Sequence, residues 1–152
     1  MSELSSELLC ELSLTWGDIL RVGATPNGDR RIRYFAGGTF SGPRLRGEVL
    51  PGGGDWLLLR PDGARTLEVR AVLRTDDGHL IYLTSTGMFR ISPRLFDRIV
   101  AGEPVDPGEY YLRTTPLFET ASDRYGWLNG IVCVSVGRFS ATAVHQRIYA
   151  IL

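Results

Sequence analysis

WLLLRPDGARTLEVRAVLRTDDGHLIYLTSTG, residues 56–87, contains the two clearest hairpin signals in the chain. Each signal is an Asp-Gly pair, Asp62-Gly63 or Asp77-Gly78, between two runs rich in residues that favour strands. An Asp-Gly pair accepts the positive φ of a tight turn between antiparallel strands. The segment therefore predicts three consecutive antiparallel strands, at 56–60, 66–74 and 80–87.

Strands are also predicted on both sides of this segment. Apolar and polar residues alternate from Leu8 to Trp16, which is the period-two pattern of a strand. Gly37-Gly38 ends the next run and predicts a bulge or bend of the kind that curls a sheet into a barrel. The remaining predicted strands span 30–40, 45–50, 109–119, 128–136 and 139–151, with a rim loop at 17–29 and a tight turn at Gly137-Arg138.

One short helix is predicted near 93–101. Ser92 suits the N-cap, Pro93 the first helical position and Gly102 the stop. With roughly eight or nine strands, several of them apolar on both faces, the chain is expected to be all-β: a closed or nearly closed antiparallel barrel in a single domain, 1–152. A barrel of about eight strands can hold its own side chains plus one small ligand.

The composition narrows the class of partner. The 152 residues include 17 basic and 17 acidic side chains, so no net charge attracts nucleic acid or an anionic membrane. Cys10 and Cys133 lie in apolar alternating runs, where a thiol usually packs as a small core residue. Residues 1–11 lack the features of a secretory signal, and no apolar run approaches the ~18 residues that span a bilayer. The chain is therefore expected to be cytoplasmic, with no nucleic-acid partner and no membrane partner.

Five motifs follow one another along the chain: GGTFSGPRL at 37–45, PGGGDW at 51–56, RTDDG at 74–78, YYLRTTPLFE at 110–119 and YGWLN at 125–129. Together they resemble the bacterial and fungal family called domain of unknown function 3237. The resemblance extends from Leu20 to the C-terminus. It implies a small antiparallel β-barrel of calycin-like shape, often an oligomer, with a pocket to which the family assigns no role.

Three side chains are candidates for proton transfer. Asp55 follows three glycines and precedes a tryptophan, which suits a carboxyl at the barrel mouth whose pKa is raised by apolar walls. The alternative is that Asp55 caps a turn by accepting hydrogen bonds from backbone N–H groups. His145 lies mid-strand and suits proton transfer near neutral pH, or is simply packed. Glu119, late in the strand at 109–119, is the third candidate.

Arginines are expected to offset charge on a substrate. Glu68 and Arg70 share one face of a strand, and Tyr111 and Arg113 share one face of another. If these faces point into the barrel, a guanidinium there either pairs with Glu68 or Glu119, or receives a substrate carboxylate or enolate. Arg113 is the stronger candidate for ligand contact, because its strand leads directly to the last aromatic cluster.

Aromatic side chains either form the walls of the site or fill the barrel. Asn129 can donate to an oxyanion, although an asparagine after a turn more often bonds backbone. The predicted substrate-binding residues are Tyr34, Trp56, Glu68, Arg70, Tyr82, Tyr111, Tyr125, Trp127 and Asn129, and the catalytic candidates are Asp55, Arg113, Glu119 and His145.

Several kinds of chemistry lack their sequence signals. No glycine-rich loop opens a helix, no nucleophile elbow is present, and no pair of histidines has the spacing of metal ligands. We therefore expect no cofactor and no metal. The first hypothesis is a cofactor-independent isomerase, cyclase or lyase that transfers protons on a hydrophobic or aromatic carbonyl-containing metabolite, in secondary metabolism or aromatic degradation. The alternatives are a non-catalytic small-molecule-binding protein, and an assembly module whose apolar outer face forms a homo-oligomer, either a dimer or a tetramer.

Overall fold

The computed structural model describes residues 3–152 and consists mainly of β-strands. One α-helix and two 3₁₀ helices, Pro107–Glu109 and Gly126–Gly130, are present in this range. None of these helices combines the length and the apolar character needed to cross a membrane. The strands and the α-helix are β1 (Ser6–Thr25), β2 (Gly28–Ser41), β3 (Arg46–Val49), β4 (Gly54–Leu59), β5 (Arg65–Thr75), β6 (Leu80–Arg90), α1 (Pro93–Val100), β7 (Tyr111–Glu119), β8 (Cys133–Phe139) and β9 (Ala143–Ile151).

Hydrogen bonds join these strands into a closed antiparallel ring. Around the ring β1 is followed by β9, β8, β7, β6 and β5. The short strands β3 and β4 each pair with β5 on one side and with β2 on the other, and β2 returns to β1. The narrowest seam joins β7 to β8 through two register pairs, Arg113 with Val136 and Thr114 with Ser135. The predicted all-β barrel is confirmed.

The predicted bend at Gly37-Gly38 is the point where β2 changes partner. Residues 29–34 pair with β4, and residues 38–41 pair with β3. Gly38 has a φ of +153°, and a Cβ on it would lie 1.9 Å from the carbonyl oxygen of Ser13. The backbones of β1 and β2 therefore approach too closely here for any side chain.

The hairpin of β1 and β2 is longer than the sequence predicts. The predicted rim loop at 17–29 is wrong, because β1 continues to Thr25 and only Pro26 and Asn27 separate the two strands. The register is irregular between Trp16 and Ile19, which interrupts the two-residue alternation by which a strand is recognised. β9 reaches only as far as Thr15, so the tip of this hairpin extends beyond it.

The C-terminal hairpin is displaced along the chain from its predicted position. Residues 126–130 form a 3₁₀ helix, β8 begins only at Cys133, and the turn lies at 140–142 rather than at Gly137-Arg138. Ser140 closes that turn, because its hydroxyl accepts the N–H of Ala143 at 3.0 Å. Gly137 is instead buried within β8, where Leu112 packs in the space that a side chain would need.

The predicted helix is confirmed as α1. Its N-cap is Ser92, whose hydroxyl accepts the N–H of Leu95 at 3.2 Å, and Pro93 occupies the first position. Ile99 is buried, and the ring of Phe96 stacks on Phe139 with 5.3 Å between centroids. The helix therefore packs over the end of the barrel formed by the last residues of β8.

The opposite end of the barrel is filled with apolar side chains. Cys10 and Cys133 are buried there as free thiols, as the sequence predicts. Burial raises the pKa of Cys10 to about 12 and that of Cys133 to about 11, so both thiols stay protonated and act as core residues. Their neighbours in this half of the core are Leu12, Phe40, Leu73, Ile81, Leu83, Phe118, Leu128 and Ile148.

We predict that Gly38→Ala lowers the free energy of unfolding by about 3 kcal/mol or more, because the new methyl group collides with the β1 backbone at a positive φ. Urea denaturation measures the change. Gly130→Ala is the matched control, because a Cβ there meets nothing within 4 Å. Equal losses in the two variants would contradict a special role for the contact between β1 and β2.

Candidate functional site

A cavity occupies the half of the barrel beneath α1. It measures about 80 Å³ to the centre of a water-sized sphere, whereas one water needs only ~10–15 Å³ on that measure. Aromatic and aliphatic side chains form most of its wall, and a few polar side chains interrupt it. The lining residues are Trp16, Ile19, Arg31, Arg33, Phe35, Asp55, Leu57, Arg65, Leu67, Val69, Phe89, Phe96, Leu112, Phe139, Val144 and Gln146.

Asp55 is the acidic side chain of this cavity. It follows the glycine run of residues 52–54, in which a Cβ on Gly53 would lie 2.3 Å from the carbonyl oxygen of Arg70. The glycines let the start of β4 press against β5, and Asp55 is then turned inward and is only 4% exposed. Its Oδ1 accepts the backbone N–H of Glu68 on β5 at 3.1 Å.

Burial makes the carboxyl of Asp55 a weaker acid than usual. Removal from water raises the pKa of its carboxyl from 3.8 to about 7. The hydrogen bond from the Glu68 N–H opposes this rise, and the negative charge of Glu68 adds to it. A carboxyl with a pKa near neutrality can both take up and release a proton under ordinary conditions. Asp55 is therefore a carboxyl whose pKa is raised by burial, which is what proton transfer at this position would require.

Arg33 faces the same cavity from the neighbouring strand. It is the direct register partner of Asp55 between β2 and β4. Among residues 3–152 the two side chains form no ion pair, and the guanidinium of Arg33 lies over the ring of Trp16, 5.0 Å from its centre. Burial, and then repulsion by Arg21, lowers the pKa of Arg33. A carboxyl and a guanidinium thus face one apolar space without neutralising each other.

Arg31 and Arg65 add two further guanidinium groups to the cavity. Arg31 donates to Asp29 at 2.9 Å, while its Nε is buried and has no hydrogen-bond partner within residues 3–152. Arg65 lies over Phe96, 4.2 Å from the ring centre. Burial, and then the positive charge of Arg31, lowers the pKa of Arg65. Positive charge is therefore concentrated on the side of the cavity that β2 and β5 contribute.

Gln146 supplies a neutral polar group to the cavity wall. Its side-chain oxygen lies 3.3 Å from the hydroxyl of Ser135 and 3.5 Å from that of Thr114. With the oxygen held by these two hydroxyls, the amide nitrogen is the end of the side chain left for a ligand. Gln146 was not among the predicted site residues, although it stands between Val144 and Ile148 on the inward face of β9.

Arg31, Arg33 and Arg65 were also not predicted. Arg33 and Arg31 precede the buried Phe35 by two and four residues, so the alternation of a strand places all three side chains on the same inward face of β2. Arg65 begins β5 directly after a hairpin turn, where no pattern shows which way a side chain points. Alternation along the strands, counted from a buried apolar residue, could therefore have predicted most of this site.

Two strand faces that were considered as part of the barrel interior point outward instead. Glu68 and Arg70 are exposed on the outer face of β5, where they form an ion pair at 3.3 Å. Tyr111 and Arg113 are exposed on the outer face of β7, with the guanidinium 5.0 Å from the tyrosine ring centre. The inward phase belongs instead to apolar neighbours such as Val69, since their burial stabilises the barrel far more than an exposed ion pair does.

Two of the proton-transfer candidates lie outside the barrel. His145 is exposed, and its Nδ1 lies 2.8 Å from the hydroxyl of Ser13 on the neighbouring strand. Glu119 is exposed at the end of β7. Both alternate with inward residues, Gln146 and Phe118, which explains their position. Of the predicted catalytic residues, Asp55 alone lines the cavity.

Most of the predicted aromatic wall also lies elsewhere. Tyr34 and Trp56 pack edge to face on the outer surface, with ring centroids 6.4 Å apart. Tyr82 is exposed on β6, and the ring of Trp127 is covered by the guanidinium of Arg44 at 3.6 Å. Even-numbered and odd-numbered positions of these strands both carry large side chains, so the sequence did not distinguish inside from outside.

Tyr125 and Asn129 have structural positions at the filled end of the barrel. The hydroxyl of Tyr125 donates to Asp77 at 2.9 Å, and hydrogen bonds, led by that from Thr75, lower the pKa of Asp77 to about 2. Asn129 accepts the N–H of Thr120 at 2.8 Å and donates to its carbonyl oxygen at 2.9 Å. The backbone alternative for Asn129 is therefore correct.

The closed ring and its chamber define a small β-barrel protein with an interior cavity, of which a buried carboxyl and several guanidinium groups form the polar part. The chain belongs to the family described as "Protein of unknown function (DUF3237)", whose model matches residues 4–151. The resemblance identified from the sequence is thus confirmed.

Relatives agree with this assignment. The chain is 36% identical over 126 residues to a UPF0311 protein of Rhodopseudomonas palustris, which covers 82% of each chain. A crystal structure of a conserved protein of unknown function from R. palustris has a TM-score of 0.90 at 31% identity and covers 100% of this chain and 99% of its own. A β-barrel-like protein from Acinetobacter baumannii has a TM-score of 0.87 at 34% identity, covering 100% and 98%.

Two more distant similarities are to fungal proteins. The chain is 28% identical over 138 residues to PR-toxin biosynthesis cluster protein 7 of Penicillium roqueforti, covering 78% of this chain and 74% of that protein. The crystal structure of an enzyme from Penicillium herquei has a TM-score of 0.71 at 20% identity, covering 97% and 96%. The second similarity shows a shared fold.

The raised pKa of Asp55 makes the stability of the fold depend on pH. Between pH values near 3.8 and about 7, folded Asp55 keeps a proton that the unfolded chain releases. Unfolding therefore becomes easier as the pH rises through this window, by a total on the order of 4 kcal/mol. The stability that comes from protonated Asp55 is fully present below this window and is lost above it.

We predict that Asp55→Asn raises the free energy of unfolding by roughly 2–4 kcal/mol at pH 8 but by no more than about 1 kcal/mol at pH 4.5, because the amide cannot ionise. Urea denaturation at the two pH values measures the difference. Asp97→Asn, on the exposed face of α1, is the control, because it makes the same change of side chain away from the cavity. An Asp55→Asn effect of equal size at both pH values would exclude a buried titrating carboxyl.

Proposed function

We propose that the protein is a cofactor-independent enzyme that transfers protons on a small carbonyl-containing metabolite inside the barrel. One observation carries the proposal: Asp55 is buried beside an apolar cavity and has a pKa of about 7. A structural carboxylate is normally ionised and paired, whereas this one is poised between its two protonation states. Isomerisation, cyclisation and elimination all require such a group.

The proposed reaction begins at Asp55. Its carboxylate removes a proton from the carbon next to the substrate carbonyl and becomes a neutral acid. The electron pair of the broken C–H bond forms a carbon–carbon double bond, and the π electrons of the carbonyl move onto its oxygen. The guanidinium of Arg33 offsets the charge of the resulting enolate. Return of the proton to a different atom of the substrate completes an isomerisation. A cyclase would let the enolate carbon attack an electrophilic carbon of the same molecule. A lyase would re-form the carbonyl as a leaving group departs from the β-carbon with its bonding electrons and takes the proton held by Asp55.

The arrangement of Arg33 supports this role. An ion pair with Asp55 would hold the carboxyl ionised and lower its pKa, but Arg33 lies over Trp16 instead. Arg33 and Asp55 face each other across a strand pair, so a flat substrate can contact both groups at once. In a space lined by aromatic rings, the attraction between the guanidinium and an enolate is much stronger than in water.

The fungal similarities support chemistry on a secondary metabolite. One relative carries the name of a toxin biosynthesis cluster protein, and one solved structure of the same fold is described as an enzyme. A small metabolite with an apolar body fits the aromatic walls of the cavity. A cytoplasmic location is part of the same proposal.

A non-catalytic carrier is the alternative, and the largely apolar wall of the cavity favours it. Such a protein would bind the same ligand and return it unchanged. A carrier gains nothing from a carboxyl whose burial makes folding less favourable at neutral pH. Exchange of carbon-bound hydrogen distinguishes the two functions, since binding alone does not break a C–H bond.

We predict that the protein accelerates exchange of α-hydrogen for deuterium in 1-phenylpropan-2-one or phenylpyruvate dissolved in D₂O, as followed by proton NMR. The rate should rise with pH through about 7 and then level off, because the carboxylate form of Asp55 is the base. Asp55→Asn should lower the enzymatic rate by roughly 100-fold or more.

Glu68→Gln is the matched control for this experiment, because its side chain adjoins Asp55 in the sheet but points to solvent. It should leave the exchange rate within about twofold of the unmodified protein, since it contacts no substrate. Exchange no faster than in buffer for either compound, or undiminished exchange in Asp55→Asn, would reject Asp55 as a base at carbon.

We also propose that the protein is a homo-oligomer joined through the outer face of β7 and β8. Leu117, Val132 and Val134 are 57%, 62% and 39% exposed on this face. Val136 and Tyr111 extend the same apolar surface. Contiguous exposed apolar side chains of this kind are typical of contacts between subunits.

We predict that Val134→Glu converts the oligomer to a monomer, because the charge would be buried without a partner in a contact between two β8 strands. Analytical ultracentrifugation over a range of concentrations measures the assembly. Val22→Glu is the control, since Val22 is similarly apolar and exposed but lies near the tip of the hairpin of β1 and β2. A sedimentation coefficient of a monomer for the unmodified protein at all concentrations would refute the proposal.

A further inference from the structure

The polar groups of the cavity carry an excess of positive charge. Three guanidinium groups, those of Arg31, Arg33 and Arg65, line it. The carboxylates available to them are Asp55 and, through its bond to Arg31, Asp29. Three positive and two negative charges leave one positive charge even when Asp55 is ionised. A ligand carrying one negative charge would balance the site.

The excess charge is located at Arg65, next to the Arg31–Asp29 ion pair. The two side chains are near enough that the charge of Arg31 contributes to lowering the pKa of Arg65. Arg65 has no carboxylate partner within residues 3–152, and its guanidinium contacts the rings of Phe96 and Phe89, 4.2 and 5.7 Å from their centres. Two like charges held together in a half-buried position are costly unless an anion lies between them.

Unused hydrogen-bond donors point to the same conclusion. The Nε atoms of Arg31 and Arg33 are both buried and have no partner in residues 3–152. A buried donor without an acceptor costs about 1–3 kcal/mol of stability. An oxyanion bound in the cavity would supply acceptors to these donors, and guanidinium groups bind planar carboxylates through two parallel hydrogen bonds.

The rest of the cavity defines the body of the ligand. Trp16, Phe35 and Phe139 form a cluster in which Trp16 stacks on Phe35 with 5.6 Å between centroids and lies 5.9 Å from Phe139. Flat apolar groups pack well against such rings. Asp55 and Gln146 are the polar groups that this wall leaves for an uncharged oxygen of the ligand.

We propose that the cavity recognises a small organic monoanion: a carboxylate held by Arg65 and Arg31, joined to a flat apolar body that reaches the aromatic cluster. This inference names the substrate class and rests on the proposed function only for the reacting carbonyl at Asp55. Charge recognition by Arg65 does not require that Asp55 transfer a proton. The two proposals can therefore fail separately.

The test is a binding titration with matched probes. Benzoate, phenylacetate and 3-phenylpropanoate are each compared with the corresponding neutral amide, using ¹⁵N-labelled protein. The chain has three tryptophans, and Trp16 is the one that lines the cavity, so its indole N–H signal reports occupancy. At least one acid should move the Trp16 signal and bind roughly tenfold or more tightly than its amide, because only the acid pairs with a guanidinium.

Variants test whether this preference depends on Arg65. Arg65→Gln should reduce the preference for acid over amide to about twofold or less, since it removes the charge and keeps a polar side chain. Arg70→Gln, five residues along the same strand but on the outer face, should leave the preference unchanged. Circular dichroism of each variant confirms that the barrel is folded.

The outcomes separate the two proposals. Asp55→Asn should bind the acids at least as well as the unmodified protein, because it loses a competing negative charge. Acid binding that persists while hydrogen exchange is absent would leave the substrate class standing and reject the proton transfer. Equal affinity for acid and amide, an unmoved Trp16 signal with every acid, or full acid preference in Arg65→Gln would overturn the monoanion proposal.

Discussion

Closure of the hydrogen-bonded ring is the constraint on which the other features of this protein depend. Closure requires β2 to pair with β4 along one half and with β3 along the other, and the close approach at Gly38 makes that change of partner possible. A closed ring leaves no sheet edge and buries the side chains that point into it. Only in such an interior does a carboxyl like that of Asp55 acquire a pKa near neutrality.

The interior has two halves with different physical character. One half is packed with leucine, isoleucine and cysteine side chains and supplies most of the hydrophobic stabilisation. The other half holds a carboxyl, three guanidinium groups and an amide among aromatic rings. The aromatic rings stabilise the guanidinium groups through their faces, so positive charge can remain beside Asp55 without an ion pair forming. The hydrophobic stabilisation of the packed half therefore offsets the cost of burying polar groups in the other half.

The sequence was sufficient for local structure and for closure, but not for the direction of side chains. The turns at Asp62-Gly63 and Asp77-Gly78 and the cap at Ser92 each depend on a few adjacent residues, and the structure has them as predicted. Glu68 and Arg113 were placed on the wrong face because both faces of their strands carry large side chains. Which face is inward is decided by the register with distant strands, where a shift of one residue reverses every side chain. Asp55 escaped this ambiguity because the three preceding glycines fix its position against β5.

The burial of Asp55 is difficult to explain by structure alone. Within residues 3–152 its carboxyl accepts one hydrogen bond, from the N–H of Glu68, and an asparagine would accept it equally well. An asparagine would also avoid the loss of stability that ionisation causes as the pH approaches 7. What distinguishes aspartate from asparagine at this position is the exchangeable proton and the charge that remains when it leaves. A carboxyl that is buried at a cost to folding, beside an arginine of the neighbouring strand, therefore supports the proposed chemistry on a ligand more than a role in holding the barrel together.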